Sequence, residues 1–581
     1  MTARLRAMAT GVLAAALLLP LQAHAKIEIA IPEVSDAIQT NVRAFLSLTR
    51  YAERDDVTDE VMSRLQRRIV AETRQALEPL GFYDPKISYD VKHDGGTWKV
   101  TIHIEPGRPV RLSEVNVSAT GPGANDRAIR ELIEAEELKP GLRLNHGTYE
   151  RVKGNLVRVA KNEGYLDAKL TRHDLVIDRF ERRATVDLEA DTGERYLFGD
   201  IDIAQDVITD EAMRRLLRMH PGDPYTLDTL LRTQYVLDDT QYFSVVDIES
   251  GDPDPATRTV PIKVTAEPGR KHRYAASIGY GTDTKVRGKF TWDNRRVNED
   301  GHKFKLELLG SSIVTDLTGR YIIPVMDIAL EKLEFTGTLR DEELGDTRSK
   351  RAEVGAGLTQ VLGRWQRVLK ISLAEEETIE ANNDSSTNFY IVPSVTYSTL
   401  PSYITGGRRR PYFFSAELRG SPETLGSDAS FLQLRLKGER IFNLSELWHL
   451  HLRSELGITR IAAAADLPAS QRFFAGGEGS VRGFALNELS PKDEQGRTEG
   501  GRNLATGTVE FVRDLPRNFG VATFFDIGNA FNEFTDPMLE RSAGVGVRYN
   551  IAVASFGVDV AQALSESGRT PRVHLYIATQ F

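Results

Sequence analysis

Apolar and polar positions follow two different rhythms along this chain. Over residues 26–270, short period-two segments are interleaved with segments in which apolar residues recur every three or four positions. These are the periods of half-buried strands and amphipathic helices, respectively. The order strand, two helices, two strands occurs three times, and each time the last strand ends at a glycine turn. The pattern predicts three small α+β modules, at residues 26–107, 108–193 and 194–270.

The predicted helices each carry an apolar stripe along one face. The stripes are Met62, Leu65 and Ile69 in the first module, Val152, Leu156 and Val159 in the second, and Leu227, Leu230, Leu231 and Tyr235 in the third. We expect each stripe to face the core of its module, because that is the face a helix buries against a sheet.

From residue 272 onward the helical period disappears and period-two strands follow one another, separated by polar turns. We predict sixteen strands, beginning near residues 272, 285, 302, 315, 330, 349, 365, 386, 410, 429, 447, 502, 519, 541, 554 and 572. In several of them one face is apolar and the other polar, as where Phe304, Leu306 and Leu308 alternate with Lys303, Lys305 and Glu307.

A transmembrane antiparallel barrel over residues 271–581 explains these strands better than a soluble sandwich does. An even number of strands and the removal of sheet edges are typical of membrane barrels. The mean hydropathy of −0.33 is compatible with this prediction, since lipid-facing and lumen-facing residues average out along each strand.

The first 25 residues have the features of a secretory signal peptide. Arg4 and Arg6 precede an apolar run at 8–21, and Ala23-His24-Ala25 has the small-x-small pattern of a cleavage site. The alternative is a membrane anchor, but the run is shorter than the ~20 apolar residues that a spanning helix needs. We therefore expect an exported chain that begins at Lys26 after cleavage.

Composition narrows the functional classes. The chain has no cysteine, which excludes disulfides and thiolate metal sites. Its formal net charge is −9, and no basic tract stands out against it, so we expect no nucleic-acid partner.

A long loop predicted at residues 462–502 contains the tetrapeptide Val481-Arg482-Gly483-Phe484. Three α+β repeats, a sixteen-stranded barrel and this motif in this loop together resemble the POTRA-barrel superfamily of outer-membrane assembly factors and secretion pores. The resemblance covers the whole chain after residue 25, and three modules are similar to the TamA type within that superfamily.

The resemblance implies that the loop folds back into the barrel and that Arg482 pairs with acidic residues on the barrel wall. Two candidates lie on the following strands. Strand alternation points Glu510 into the lumen, opposite to its apolar neighbours. Asp526 points the same way and, with Gly528, matches the aromatic-x-Asp-x-Gly strand motif of the family. The alternative is that Arg482 is a solvated loop charge.

The final strand ends on Phe581 and also contains Tyr576. This arrangement looks like the terminal signal by which outer-membrane barrels are recognised for insertion. Aromatic residues at a barrel rim also have a structural role in the interfacial girdle.

Other candidate sites have weaker support. The glycines at 476–479 lack the lysine and helix of a phosphate-binding loop. His449 and His451 share a polar face, where lumen lining is more common than a metal site. No nucleophile, base and acid have a supporting context, so we expect no cofactor, no metal and no enzymatic activity.

The resemblance thus implies an outer-membrane protein assembly factor whose POTRA modules lie in the periplasm. Its implied partners are a TamB-like inner-membrane-anchored protein, unfolded outer-membrane protein clients and outer-membrane lipid. The alternatives are a two-partner secretion pore, whose usual plugging helix is replaced here by a strand-like segment at 27–31, and a barrel phospholipase.

Overall fold

The computed structural model describes residues 26–579, apart from 53, 55–56, 95–96, 136–137, 328–329, 381, 401–411, 462–466, 536 and 552–553. The predicted signal peptide at 1–25 and the terminal Phe581 lie outside the described residues. The chain divides into two compact units, and the boundary passes through the third module: residues up to Ile201, His220–Leu230 and Ser250–Ile262 form one, and Asp202–Met219, Leu231–Glu249 and the chain from Lys263 form the other.

Three α+β modules precede the barrel. Their helices are α1 (Asp36–Phe45), α2 (Ser47–Tyr51), α3 (Asp59–Leu77), α4 (Arg127–Glu134), α5 (His146–Asn162), α6 (Asp210–Leu216) and α7 (Leu227–Thr240). Their strands are β1 (Lys26–Ala30), β2 (Lys86–Asp94), β3 (Thr97–Glu105), β4 (Arg111–Thr120), β5 (Lys169–Asp178), β6 (Arg183–Asp191), β7 (Leu197–Ala204), β8 (Phe243–Ser250) and β9 (Thr259–Pro268). The predicted order is thus confirmed, with the short α2 as an addition to the first module.

Each module has a three-stranded sheet whose last strand in sequence lies in the middle. The strand orders are β1-β3-β2, β4-β6-β5 and β7-β9-β8. In the first two modules the opening strand pairs parallel to the central one, and the strand before the central one pairs antiparallel to it. In the first module α3 buries its apolar face in the core, with Met62 and Ile69 at 1% and 0% exposure.

The apolar stripe predicted for α7 is wrong. Leu230 is buried, but Leu227, Leu231 and Tyr235 are 40%, 59% and 47% exposed. The buried face runs instead through Leu230, Thr233, Leu237 and Thr240. Two of these four positions are threonines, so a search for apolar residues alone selected a face turned away from the core.

Sixteen antiparallel strands close the barrel, as predicted. They are β10 (His272–Gly281), β11 (Lys285–Asn294), β12 (Lys303–Gly310), β13 (Val314–Pro324), β14 (Lys332–Leu344), β15 (Thr347–Leu362), β16 (Trp365–Ile379), β17 (Ser385–Thr399), β18 (Tyr412–Ser421), β19 (Phe431–Asn443), β20 (Trp448–Arg460), β21 (Asn503–Leu515), β22 (Phe519–Phe531), β23 (Glu540–Ile551), β24 (Ala554–Ala563) and β25 (Arg572–Thr579). Neighbours in sequence are neighbours in the barrel, and β10 pairs with β25 to close it.

Alternation along the strands separates the two faces of the barrel wall. Leu339 and Val354 are each 59% exposed on the outside, whereas Glu376 and Asp526 are fully buried on the inside. Because strands alternate in direction, β20 ends at the rim opposite the start of β10, so the loop between β20 and β21 enters the lumen from that far rim. Among the residues the structure covers, no helix has the length and apolar character to cross a membrane.

Candidate functional site: a loop arginine docked in the barrel lumen

The described part of the loop between β20 and β21, residues 467–502, folds inward and brings the Val481–Phe484 turn onto the barrel wall. The turn is closed by the Phe484 amide, which donates to the Val481 carbonyl at 3.2 Å. Gly483 lies so close to the wall that a Cβ atom would come within 2.7 Å of the Ser542 Cβ and 2.9 Å of the Ala563 nitrogen. A side chain there would push the turn off the wall, which explains the glycine of the motif.

Arg482 and Asp526 form a fork of charge-assisted hydrogen bonds. The Nε of Arg482 donates to Oδ2 of Asp526 at 2.9 Å and Nη2 donates to Oδ1 at 2.8 Å. The Arg482 amide also donates to Oδ2 at 3.2 Å. Both side chains are buried, at 4% and 0% exposure. A lysine could not reproduce this two-pronged contact, because its ammonium is a single point charge.

Two more carboxylates complete the acidic side of the site. Nη1 of Arg482 lies 2.8 Å from Glu510 Oε2 and 3.3 Å from Asp559 Oδ2. A second guanidinium, that of Arg548, bonds to Asp559 and lies 3.5 Å from Glu510. Two cations therefore face three carboxylates, which compensates the charge of groups that would be costly to bury singly.

The wall strands supply these groups by simple alternation. Glu510 lies on β21, Asp526 on β22 and Asp559 on β24. Phe524 lies two residues before Asp526, on the same face of the strand. The centroid of its ring is 3.3 Å from the Arg482 Cζ, which makes a stacked cation–π contact. At Gly528 a Cβ would come within 2.6 Å of the Ala505 carbonyl oxygen, so the glycine lets β21 and β22 approach closely.

Electrostatics fix Arg482 as a cation. Its guanidinium donates to Asp526 and Glu510, and the negative charges of these carboxylates favour the charged form that arginine keeps in proteins. The site is therefore a permanent ion-pair network that docks the loop.

An apolar cluster adds to the docking. Val481 and Phe484 are fully buried, and they pack in one cluster with Phe473, Ala475, Leu489, Leu504, Ala530 and Ala563. The loop thus buries its own small core against the lumen wall.

Sequence reasoning found Arg482, Glu510 and Asp526, which the structure brings together, but it missed Asp559 and His574. The signal for Asp559 was available, because it alternates with Val558 and Val560 on β24 and must face inward. The Nε2 of His574 on β25 lies 2.7 Å from the Arg482 carbonyl oxygen, a contact to backbone that no residue pattern reports.

Of the other predicted residues, Tyr576 borders the site and His449 lies apart from it. Tyr576 is half-buried in the lumen, with its ring 5.4 Å from the Arg548 Cζ. His449 lies 2.9 Å from Asn443 Oδ1 and 3.0 Å from Asp514 Oδ2. Within the described ranges, no group of three or more His, Asp and Glu side chains is placed to hold a metal ion.

Comparisons with known proteins agree with this architecture. Residues 332–581 match the Omp85 superfamily domain, residues 28–106 match the POTRA domain described as TamA domain 1, and residues 196–269 match the POTRA domain described as a surface antigen variable number repeat.

Two curated relatives share the name outer membrane protein assembly factor BamA. The relative from Nitratidesulfovibrio vulgaris is 24% identical over 360 residues, covering 58% of this chain and 45% of that protein, so the match spans less than half of the relative's length. The relative from Neisseria meningitidis serogroup B is 20% identical over 577 residues, covering 78% and 72%.

The crystal structure of BamA from Haemophilus ducreyi lacking POTRA domains 1–3 has the same fold. The two structures align with a TM-score of 0.63 at 15% identity, over 81% of this chain and 99% of that one. The modules, the barrel and the docked loop define an outer-membrane β-barrel protein with periplasmic POTRA domains. The chain thus contains an Omp85 superfamily domain at residues 332–581 and POTRA domains at residues 28–106 and 196–269.

Proposed function

We propose that this protein is the barrel subunit of a TamA-type translocation and assembly module, and that it promotes folding and insertion of β-barrel or autotransporter clients. The observation that carries the proposal is the match of residues 28–106 to TamA domain 1 at the head of three modules. The names of the two curated relatives support the broader assignment to outer-membrane protein assembly. Assisted folding of this kind involves no covalent step.

The module sheets suit the capture of unfolded chains. In the first module, β1 and β2 flank β3, and each therefore has one side that pairs with no strand of its own sheet. An extended client can add a strand to such an edge through backbone hydrogen bonds, which need no particular client sequence.

The junction between β10 and β25 suits the delivery of a strand to the membrane. Among the described residues these strands are in register at two pairs, Tyr280 with Ile577 and Gly281 with Tyr576. By comparison, β10 pairs with β11 at ten positions and β24 with β25 at eight. The junction, which we call the seam, is the shortest of these ladders and in this mechanism it opens first to present an edge to a client.

The proposed partners follow from this assignment. A TamB-like inner-membrane-anchored protein would contact the periplasmic modules, unfolded outer-membrane proteins would be the clients, and outer-membrane lipid would surround the barrel. Each of these partners rests on the TamA-type assignment.

Depletion of the protein followed by quantitative outer-membrane proteomics tests the proposal. We expect several barrel or autotransporter proteins to fall in abundance and to recover when the wild-type chain is restored. Loss of a single secreted protein with an unchanged barrel population would favour a two-partner secretion pore. Changed lipid composition with unchanged proteins would favour a lipid-directed enzyme, and either result would overturn the assembly role.

A further inference from the structure

The loop is bonded to the barrel wall a second time, far from Arg482. The carboxyl group of Glu376, on β16, accepts four hydrogen bonds and is fully buried. Two come from Ser470 in the loop, whose amide and hydroxyl donate to Oε1 at 2.9 Å and Oε2 at 2.5 Å. The other two come from wall residues, Ser349 at 2.9 Å and Tyr390 at 2.5 Å.

Neighbouring contacts hold the same stretch of loop. Gln433 on β19 donates to the Gln471 carbonyl at 2.9 Å, and Arg472 reaches Glu380 at 3.3 Å. Leu467 packs in a buried cluster with wall residues that include Tyr390. Residues 467–472 are thus bonded to the wall by a network that shares no residue with the Arg482 site.

The two docking points lie on well-separated parts of the wall. Glu376 is on β16, the seventh strand of the barrel, whereas the carboxylates of the other point, Asp526 and Asp559, are on β22 and β24, the thirteenth and fifteenth strands. They lie six and eight strand positions from Glu376 in a closed ring of sixteen. Between the two points the Phe473 ring lies against Gly457 on β20, so the loop lines up to half of the barrel interior.

We propose that Glu376 is a positioning residue that anchors the loop independently of Arg482, so that the loop is held inside the barrel at two separate points. The doubly anchored loop obstructs the barrel interior while both anchors hold. A client is then handled at the seam and the modules, whereas a polypeptide pore would need at least one anchor to release. The inference concerns the loop alone and does not depend on which client is served.

The labelling rate of introduced cysteines tests the two anchors separately, because the chain has no native cysteine. Ala469 lies beside the Glu376 anchor and Val481 beside the Arg482 anchor, and both are fully buried. Ala469→Cys and Val481→Cys are introduced one at a time into the full chain in lipid vesicles and labelled with a small maleimide. Each is combined with Glu376→Gln, Glu376→Ala or Arg482→Ala.

We expect Glu376→Ala to speed labelling at position 469 by about tenfold or more, the effect of losing roughly one net hydrogen bond to a charged group, and to leave position 481 protected. Arg482→Ala should do the reverse. Glu376→Gln should give a smaller effect at 469, because the glutamine carbonyl oxygen still accepts hydrogen bonds and only the amide nitrogen faces donors. Glu377→Gln is the matched control, since Glu377 is the next residue on the same strand and pairs with Lys350 outside this network at 3.1 Å.

Protection at position 481 in the Glu376 variants also reports that the barrel is folded. Ion conductance in planar bilayers provides a second measurement, and we expect the double variant Glu376→Ala, Arg482→Ala to conduct more than the two single variants together. The proposal is overturned if Arg482→Ala alone exposes both positions, or if position 469 stays protected in Glu376→Ala.

Discussion

At the scale of single residues, the main energetic demand of the site is to bury the charged guanidinium of Arg482. Arg482 is 4% exposed and lies among three carboxylates, and removing either Arg482 or Asp526 leaves the other buried without its two-pronged partner. Breaking such a buried pair costs about 3–5 kcal/mol, although replacing the whole network with apolar groups can cost far less. The energetics of the site are therefore those of a unit and not of separate pairs.

A double-mutant cycle on Arg482 and Asp526 follows from this. We expect Arg482→Ala and Asp526→Ala each to lower the free energy of unfolding by about 3–5 kcal/mol, and the double variant to lose much less than the sum. Urea titration of the barrel in detergent micelles measures all three values.

A lumen pair that does not contact the loop provides the control. Lys370 and Glu353 are 2.6 Å apart with exposures of 36% and 17%, both higher than those of Arg482 and Asp526, so each alanine substitution should cost less than at the docked pair. Additive losses at Arg482 and Asp526 would contradict the docked-loop network.

For single residues, the sequence predicted only what strand alternation determines, which is the face of the barrel wall on which each side chain lies. Alternation gives the side of the wall for Glu510 and Asp526, and the resemblance supplied the loop partner. It could not rank Asp559 above other inward carboxylates such as Glu307 or Glu455, because that choice depends on where the loop lands. The contact of Ser470 with Glu376 was missed for the same reason.

At the scale of elements, strands were easier to predict than helices. Each barrel strand begins within two residues of its predicted position, because a strand with one lipid face and one lumen face has a strict period of two. Helix α7 was misread because Thr233 and Thr240 occupy its buried face, and only packing against a particular sheet reveals that.

The junction of the first two modules predicts a pH dependence. The hydroxyl of Tyr83 in the first module lies 2.6 Å from Nε2 of His146 in the second. Burial lowers the pKa of His146, against the raising influence of Glu78 and Glu150, and its place at the start of α5 also disfavours a positive charge. The folded state therefore prefers neutral histidine.

The stability of the fold is therefore highest above the unfolded-state pKa of histidine, about 6.5. Below that pH stability falls, because the unfolded chain takes up a proton on His146 more readily than the folded chain does. We expect hydrogen exchange of residues 144–149, corrected for its intrinsic pH dependence, to accelerate between pH 7.5 and pH 5.5 relative to neighbouring segments. The variant His146→Phe should exchange with a flat pH profile, and an unchanged pH dependence in that variant would contradict the assignment.

The last strand predicts an insertion phenotype. The hypothesis that Phe581 belongs to an insertion signal predicts that deleting this residue lowers the fraction of this protein inserted in the outer membrane. Heat-modifiable gel mobility measures the inserted fraction. The substitution Phe581→Trp retains an aromatic ring and should insert normally, whereas normal insertion of the deletion variant would remove the signal interpretation.

At the scale of the whole molecule, the contrast between the seam and the rest of the barrel matters most for function. Loop 467–502 is bonded to the barrel wall at two separate places, and the Arg482 carbonyl also contacts His574 on the last strand. The seam itself has two register pairs among the described residues, supplemented by Thr282, whose amide donates to the Leu575 carbonyl at 3.0 Å. Among the described residues, the barrel is therefore braced inside and its strand ladder is shortest at the seam.

A disulfide across the seam tests whether that place must open. Tyr280→Cys and Ile577→Cys put cysteines on directly opposed residues, at the Cα separation of about 5.5 Å that a disulfide accepts. We expect oxidation to block client insertion and reduction to restore it, because a covalently closed seam leaves no strand edge for a client to pair with.

The same cysteine chemistry one strand away gives the control. Val558 and Leu575 are directly opposed on β24 and β25, and a disulfide between Val558→Cys and Leu575→Cys leaves the seam free. This second disulfide should leave client insertion unchanged. Full client insertion with a quantitatively oxidised seam would exclude lateral opening, and the modules or a local thinning of the membrane around the barrel would then have to account for assembly.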